Sequence, residues 1–214
     1  MATAEILLAR AHKKIDEPDY DDDDVLDFLN EGLMLATNRL HFPGLQASAS
    51  VNSVLTGNTV ALPTNYQKGL FAARLPNGSS LTVRSNLGQI LDASGSGYET
   101  AGTITMVCEH GALLAYDRIQ TPVTAIKLFY YRKPAAITAE TLVLDGITPA
   151  VLERIEKAIV HFAAYSAADI KENGIVKLDT NHHLRIFDAL IEEVRGTMTV
   201  GVSLPPPPIV QVQY

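Results

Sequence analysis

The chain has 214 residues, of which 47% are hydrophobic and 19% charged. This composition excludes a wholly disordered chain and fits one large domain or two small ones, and no run approaches the roughly 18 consecutive apolar residues of a membrane span. The formal net charge is −7, and residues 1–46, with four basic and ten acidic side chains, account for −6 of it. No basic stripe along the sequence would grip phosphates, so direct nucleic-acid binding is not expected.

Two amphipathic helices are predicted at the start of the chain. The first covers residues 3–16, with Thr3 as its cap, and the second runs from about Asp23 to Leu40 because apolar residues recur every three or four positions. In residues 1–14 the basic side chains follow the apolar ones, so we do not expect a secretory signal.

The middle of the chain, residues 47–147, has the texture of a β region. Nine of the 14 glycines lie there, between short runs rich in β-branched residues. One hairpin is predicted for residues 50–55 and 59–62, and a second for residues 70–75 and 80–83 around Asn77-Gly78, a pair that suits a type I′ turn. Further strands are predicted at 103–108, 112–116 and 124–132, a helical turn at 85–91, and a loop at 92–102.

Helical periodicity returns in residues 148–195. Thr148 and Pro149 indicate a helix start, and that helix continues to about Lys171. The last helix is predicted for about Thr180–Arg195, ended by Gly196. The sequence therefore predicts an α+β fold, in which residues 1–46 and 147–196 form a helical bundle and residues 47–146 form an inserted antiparallel β region.

Residues 197–214 are expected to form an extended C-terminal arm. Four consecutive prolines favour polyproline II, and the apolar residues around them need a partner surface. A frayed terminus is the alternative, although frayed ends are normally polar and IVQVQY alternates as a strand does. The candidate binding residues are Val202, Leu204, Pro205, Pro206, Pro207, Pro208, Ile209, Val210, Val212 and Tyr214.

The acidic run of residues 19–24 has two interpretations. As a calcium loop it fails twice, because its sixth position is Asp24 instead of glycine and its twelfth is Asn30 instead of glutamate. The favoured interpretation is a helix N-cap, where carboxylates face the positive end of the second helix.

Little in the sequence points to an enzyme, a metal site or a cofactor. Cys108 and His110 would share one face of a strand, so a hydrolase is one hypothesis, yet a lone cysteine is usually inert. His182 and His183 diverge by about 100° on a helix, so we interpret them as exposed or capping residues. A second hypothesis is a stand-alone carbohydrate- or peptide-binding module in which tyrosines 98, 116, 130 and 131 stack on a ligand, although strand tyrosines more often serve packing.

Four passages resemble the head-to-tail adaptor (connector, or head-completion) proteins of tailed bacteriophages. They are the opening helix with its acidic turn and DDDVLDFLNEGLMLATNRL, the step Leu62-Pro63-Thr64-Asn65-Tyr66, the passage IKLFYYRKPAAIT with the alanine-rich helix after it, and the hydrophobic tail. Together they span nearly the whole chain.

The resemblance implies that the protein is a structural protein of the virion and not an enzyme. It would lie in the neck between capsid and tail and would be assembled in the host cytoplasm. Such adaptors form a homo-oligomeric ring, expected to be dodecameric, beneath the portal protein. The ring extends the DNA channel without binding DNA specifically and offers a docking surface to a tail or nozzle protein. The C-terminal arm would bind the portal, and the acidic N-terminal region is a candidate to face DNA.

Overall fold

The computed structural model describes residues 4–15, 20–138, 148–171 and 180–201, and it divides into two compact units. The first unit comprises Met1–Leu40 and Ala135–Tyr214, and the second comprises His41–Pro134. The architecture is mixed α and β, as the sequence predicts. The interpretation of these segments as adaptor core, insertion and arm stays a prediction.

The first unit, here called the helical unit, is built on four helices. They are α1 (Ala4–Ile15), α2 (Asp22–Arg39), α4 (Pro149–Lys171) and α5 (Thr180–Gly201). Helix α4 packs against each of the other three. Its contact with α2 is close because α2 places Gly32 there: a Cβ at that position would lie 3.1 Å from the Phe162 side chain and 3.3 Å from the Ile159 Cα.

The helix bounds agree with the sequence prediction except at the end of α5. The predicted stop at Gly196 is wrong, because the helix continues to Gly201. A glycine inside a helix costs only about 1 kcal/mol relative to alanine, which neighbouring turns can offset. The predicted cap Thr3 lies outside the described residues, while at α4 the Leu152 N–H donates to the Thr148 carbonyl at 2.9 Å.

The second unit, here called the sheet unit, contains one curled seven-stranded sheet and a short helix, α3 (Leu87–Ser94). The strand order is β1-β7-β3-β4-β5-β6-β2, and all neighbours are antiparallel except β4 and β5. The strands are β1 (Gln46–Asn52), β2 (Thr59–Ala61), β3 (Tyr66–Arg74), β4 (Ser80–Arg84), β5 (Met106–His110), β6 (Leu113–Tyr116) and β7 (Ala125–Arg132).

The predicted hairpin between residues 50–55 and 59–62 is wrong. Strand β1 pairs with β7, and β2 pairs with β6, so the two predicted arms have different partners distant in sequence. Local turn residues favoured a hairpin, but the complete ladder with β7 satisfies far more backbone groups of β1 than β2 would.

The second predicted hairpin forms, with a different turn. Strands β3 and β4 pair around residues 76–78, where the Gly78 N–H donates to the Leu75 carbonyl at 2.9 Å. Gly78 has φ +85°, whereas Asn77 is not in the left-handed region. Pro76 fixes its own φ near −65°, which excludes a type I′ turn and gives a three-residue loop with glycine at the positive-φ position.

The core of the sheet unit lies on one face of the curled sheet. It gathers large side chains, among them Tyr116, Tyr130, Ile126 and Leu128. A smaller cluster of Ile90, Cys108 and Ala115 fills the opposite face, where α3 covers β5. The sequence predicts a single helical turn here, whereas α3 has eight residues. Its buried Ile90 packs against the sheet in this smaller cluster, and this packing stabilises the longer helix.

Candidate functional site

The acidic turn before α2 is a helix cap. Asp21 is the N-cap: its carboxylate accepts a hydrogen bond from the Asp24 N–H at 2.9 Å, and the Asp24 carboxylate accepts one from the Asp21 N–H at 3.4 Å. Asp22 also contacts the His12 ring of α1 at 2.8 Å. This capping box confirms the favoured interpretation. Among the described residues, no group of three or more histidine, cysteine or acidic side chains is placed to hold a metal ion.

An acidic stripe continues along α2 beyond its first turn. Asp23, Asp27 and Glu31 are exposed and follow one another at i, i+4 spacing. Like charges at this spacing weaken a helix slightly, and Asp27 and Glu31 lie beyond the turn that the helix dipole favours. Helix stability thus explains Asp23 but not the other two. Met34 and Leu35, both half-buried, adjoin the stripe in a shallow hollow of about 500 Å³.

The Cys108 thiol is fully buried beneath α3. Burial raises its pKa, and the neighbouring Glu109 raises it further, so the nucleophilic thiolate is disfavoured. His110, on the same strand, is exposed. The pair therefore lacks the activated nucleophile that the hydrolase hypothesis needs.

A histidine pair joins α4 and α5. The Nδ1 atoms of His161 and His183 lie 3.0 Å apart, so one ring carries the proton of the hydrogen bond. Burial, followed by the charge of Lys14, lowers the pKa of His161 to about 4, and burial also lowers the pKa of His183. Interpreting His183 as exposed or capping was wrong: only His182 is exposed. Sequence spacing within one helix gave no signal of a contact that depends on helix packing.

Two of the four tyrosines proposed for ligand stacking are interior residues. The Tyr116 hydroxyl accepts a hydrogen bond from the Val54 N–H at 2.9 Å, and the Tyr130 hydroxyl donates to the Asn65 side chain at 2.5 Å. Tyr98 and Tyr131 are half-buried. The hypothesis of a carbohydrate- or peptide-binding module thus loses two of its four stacking faces.

The step Leu62–Tyr66 ties two strands together. The Tyr66 N–H donates to the Pro63 carbonyl at 2.8 Å, and the Asn65 carbonyl accepts from the Lys133 N–H at 2.8 Å, just beyond β7. The Tyr66 hydroxyl accepts from the Leu70 N–H at 3.1 Å and donates to the Glu109 carboxylate. Burial, followed by that hydrogen bond, raises the pKa of Tyr66, so the phenol stays protonated.

A buried carboxylate, which the sequence analysis missed, organises the strand ends of the sheet unit. Asp117 is 1% exposed and accepts hydrogen bonds from the backbone N–H groups of Thr105 at 2.9 Å and Met106 at 3.1 Å. Its other oxygen accepts from the Thr105 hydroxyl at 2.6 Å. The carboxylate is fully used in holding the chain together, so its role is structural.

The candidate arm residues, Val202 to Tyr214, lie outside the described residues. Residues 197–201 of the predicted arm belong to α5. No helix in the described part of the chain is long and apolar enough to cross a membrane.

Most of the polar side chains named as candidates thus cap a helix, pack between helices or form hydrogen bonds between strands, which are structural roles. A comparison with known families agrees: the family described as SU10 adaptor protein matches residues 2–205. The chain belongs to this family of phage adaptor proteins, which are structural proteins of the virion and not enzymes.

One solved structure that contains a similar chain is titled "Neck of empty GTA particle computed with C6 symmetry". The two chains are 12% identical, each is covered over 87% of its length, and the TM-score is 0.31. A search of curated protein sequences finds no match.

Proposed function

We propose that this protein is a head-to-tail adaptor that forms a ring under the portal, extends the DNA channel and offers the docking surface for the tail. The observation that carries the proposal is the match of an adaptor family to residues 2–205, nearly the entire chain. The site of action is the neck of the virion, and the ring, expected to be dodecameric, assembles in the host cytoplasm.

In this proposal the four helices form the adaptor core. Helix α4 is its centre, since α1, α2 and α5 all pack on it. Identical chains that meet through two different surfaces close into a ring when the rotation between neighbours permits. Exposed Ile6 on α1 and half-buried Met34 and Leu35 on α2 are apolar side chains that a neighbour would cover.

The acidic stripe of α2 supports a DNA channel without specific binding. Its carboxylates are exposed, and no described residue forms an ion pair with Asp27 or Glu31. A surface of this charge repels the phosphate backbone, which lets DNA slide past. The proposal assigns the channel-facing role to this stripe.

The proposal assigns portal binding to the arm. Its apolar residues alternate in IVQVQY, and an alternating segment can add a strand to a sheet edge or fill a groove. The four prolines before it favour polyproline II, and a segment that prefers this extended form would lose little entropy when it binds.

The test is assembly of the purified chain with its portal, followed by sedimentation and by electron microscopy for a ring stacked on the portal. Deletion of residues 202–214 should abolish this assembly and leave the circular dichroism and thermal midpoint of the isolated chain unchanged.

Point variants of the arm make the same test sharper. Replacement of Ile209 and Val210 by aspartate should abolish assembly, whereas replacement of Gln211 and Gln213 by alanine is the matched control and should retain it. Assembly that survives deletion of the arm would refute the assignment of portal binding to it. An intact chain that never associates with the portal would refute the adaptor function.

A further inference from the structure

The helical unit contains a pocket of unusual charge for a chain of net charge −7. It lies between α1 and α4 and has a volume of about 520 Å³. Helix α1 contributes Arg10, Lys13 and Lys14 to its lining, and α4 contributes Glu153 and Lys157. Among the described residues, four cationic side chains and one carboxylate therefore line the pocket. Three of these cations lie on one face of α1 at i, i+3 and i+4, and the fold adds Lys157 of α4 to complete this basic pocket.

The carboxylates around the basic pocket restrain two of its cations. Glu153 and Lys157 form an i, i+4 ion pair at 2.8 Å. The Arg10 guanidinium lies 3.5 Å from Glu156, which is buried behind it. These contacts hold Arg10 and Lys157 on the two sides of the pocket, and Arg10 retains N–H groups for a ligand because a guanidinium has five.

The other two cations are available. Lys13 and Lys14 are exposed, and neither forms an ion pair within the described part of the chain. Two α4 residues complete the wall: the apolar, buried Val160, and His161, whose partner is His183. A concave wall with apolar parts strengthens the field of the cations in the pocket. Burial chiefly lowers the pKa of His161, and the charge of Lys14 on the pocket wall lowers it further.

We propose that the basic pocket is an anion site for phosphate groups. With Glu153 in the lining and Glu156 paired with Arg10, the four cations leave an excess of two positive charges, which the charge of a phosphate balances at neutral pH and a single carboxylate does not. Arginine and lysine from two helices approach from different directions, as recognition of a compact multivalent anion requires. The phosphate can come from a free anion in solution or from the backbone of DNA, and the proposal holds whether or not the chain joins a ring.

The test measures binding to the isolated full chain at neutral pH. Titration calorimetry with inorganic pyrophosphate reports on free anions, and fluorescence anisotropy with a short duplex DNA reports on the backbone. The variant Lys13→Gln/Lys14→Gln should weaken binding by about tenfold or more. If the ligand is DNA, the slope of log affinity against log salt should fall by about one per lysine removed.

The matched control is Lys127→Gln/Lys133→Gln, which removes the same charge from two exposed positions of the sheet unit. It should bind as the unaltered chain does. Lys13→Arg/Lys14→Arg retains the charge and should retain binding, which separates lost recognition from lost folding. The proposal is overturned if neither probe binds the unaltered chain, or if the control pair loses as much affinity as the pocket pair.

Discussion

The two units differ in how their most deeply buried polar side chains are bonded, Thr37 in the helical unit and Asp117 and Ser53 in the sheet unit. In the helical unit, the buried Thr37 hydroxyl bonds to the Leu33 carbonyl one turn away, and close approach of helices depends on small residues such as Gly32. In the sheet unit, buried polar groups join segments that are far apart in sequence: Asp117 holds Thr105 and Met106, and the Ser53 hydroxyl accepts from the Thr124 N–H at 3.0 Å. The helical unit should therefore be most sensitive to changes of shape, and the sheet unit to loss of hydrogen-bond partners.

The largest effect is expected from Asp117→Ala in the sheet unit. The substitution removes the acceptor of three partly buried hydrogen bonds, which two backbone N–H groups and the Thr105 hydroxyl donate. Each unsatisfied buried group costs about 1–3 kcal/mol, so the free energy of unfolding should fall by about 3 kcal/mol or more. Urea titration followed by circular dichroism measures this loss.

Asp92→Ala is the control, because Asp92 is exposed on α3 of the same unit and the substitution removes the same charge. It should change the free energy of unfolding by no more than about 0.5 kcal/mol. An equal loss of unfolding free energy in the two variants would contradict the proposed contrast, since the hydrogen bonds of Asp117 would then stabilise the sheet unit no more than an exposed aspartate does.

A smaller loss is expected from Gly32→Val in the helical unit. A Cβ at residue 32 already lies 3.1–3.3 Å from α4, and the methyl groups of valine must push the helices apart. Overpacking of this kind typically costs about 1–3 kcal/mol. Thermal unfolding should show a lower midpoint.

Gly196→Val provides the comparison within α5. Within the described residues, no atom lies within 4 Å of a Cβ built at Gly196, so valine meets no obstacle among them and gains slightly in helix propensity. Its thermal midpoint should stay level or rise by a small amount. A rise at both glycines would show that shape does not limit the contact between α2 and α4.

The same contrast explains how far the sequence predicts the structure. Periodicity located α1, α2 and α4 to within a residue or two, because one helix face records what each helix packs against. The bounds of the strands were predicted less accurately, and the pairing between strands was predicted least accurately. The ladder between β1 and β7 joins residues about 80 positions apart, and nothing local in the sequence of β1 specifies it.

The functional features differ in the same way, since those with partners close in sequence were predictable and those with distant partners were not. The Asp21 cap was predictable because its partner is three residues away. The pair His161–His183 was not, since it requires two helices that only the fold brings together. The α1 cations of the basic pocket share one helix face, but their meeting with Lys157 of α4 depends on the fold in the same way. Asp117 escaped notice for the same reason, as a lone aspartate among strand residues.

The smallest expected effect tests one polar contact of the helical unit that does join distant segments, the histidine pair between α4 and α5. His161 is faced by Lys14 from α1 and by His182 and His183 from α5, and its pKa of about 4 lies below the value near 6.5 expected in the unfolded chain. The unfolded state therefore binds more protons between these two values, and the contribution of His161 to stability is lost as the pH falls from about 6.5 to about 4.

His161→Gln should flatten this part of the curve of unfolding free energy against pH, whereas His110→Gln, at an exposed strand position, should not. Because solvent reaches part of both paired rings, the change should be smaller than that of Asp117→Ala. Parallel curves for His161→Gln and the unaltered chain would show that protonation of the histidine pair does not couple to folding, and this long-range contact would then stabilise the helical unit less than Asp117 stabilises the sheet unit.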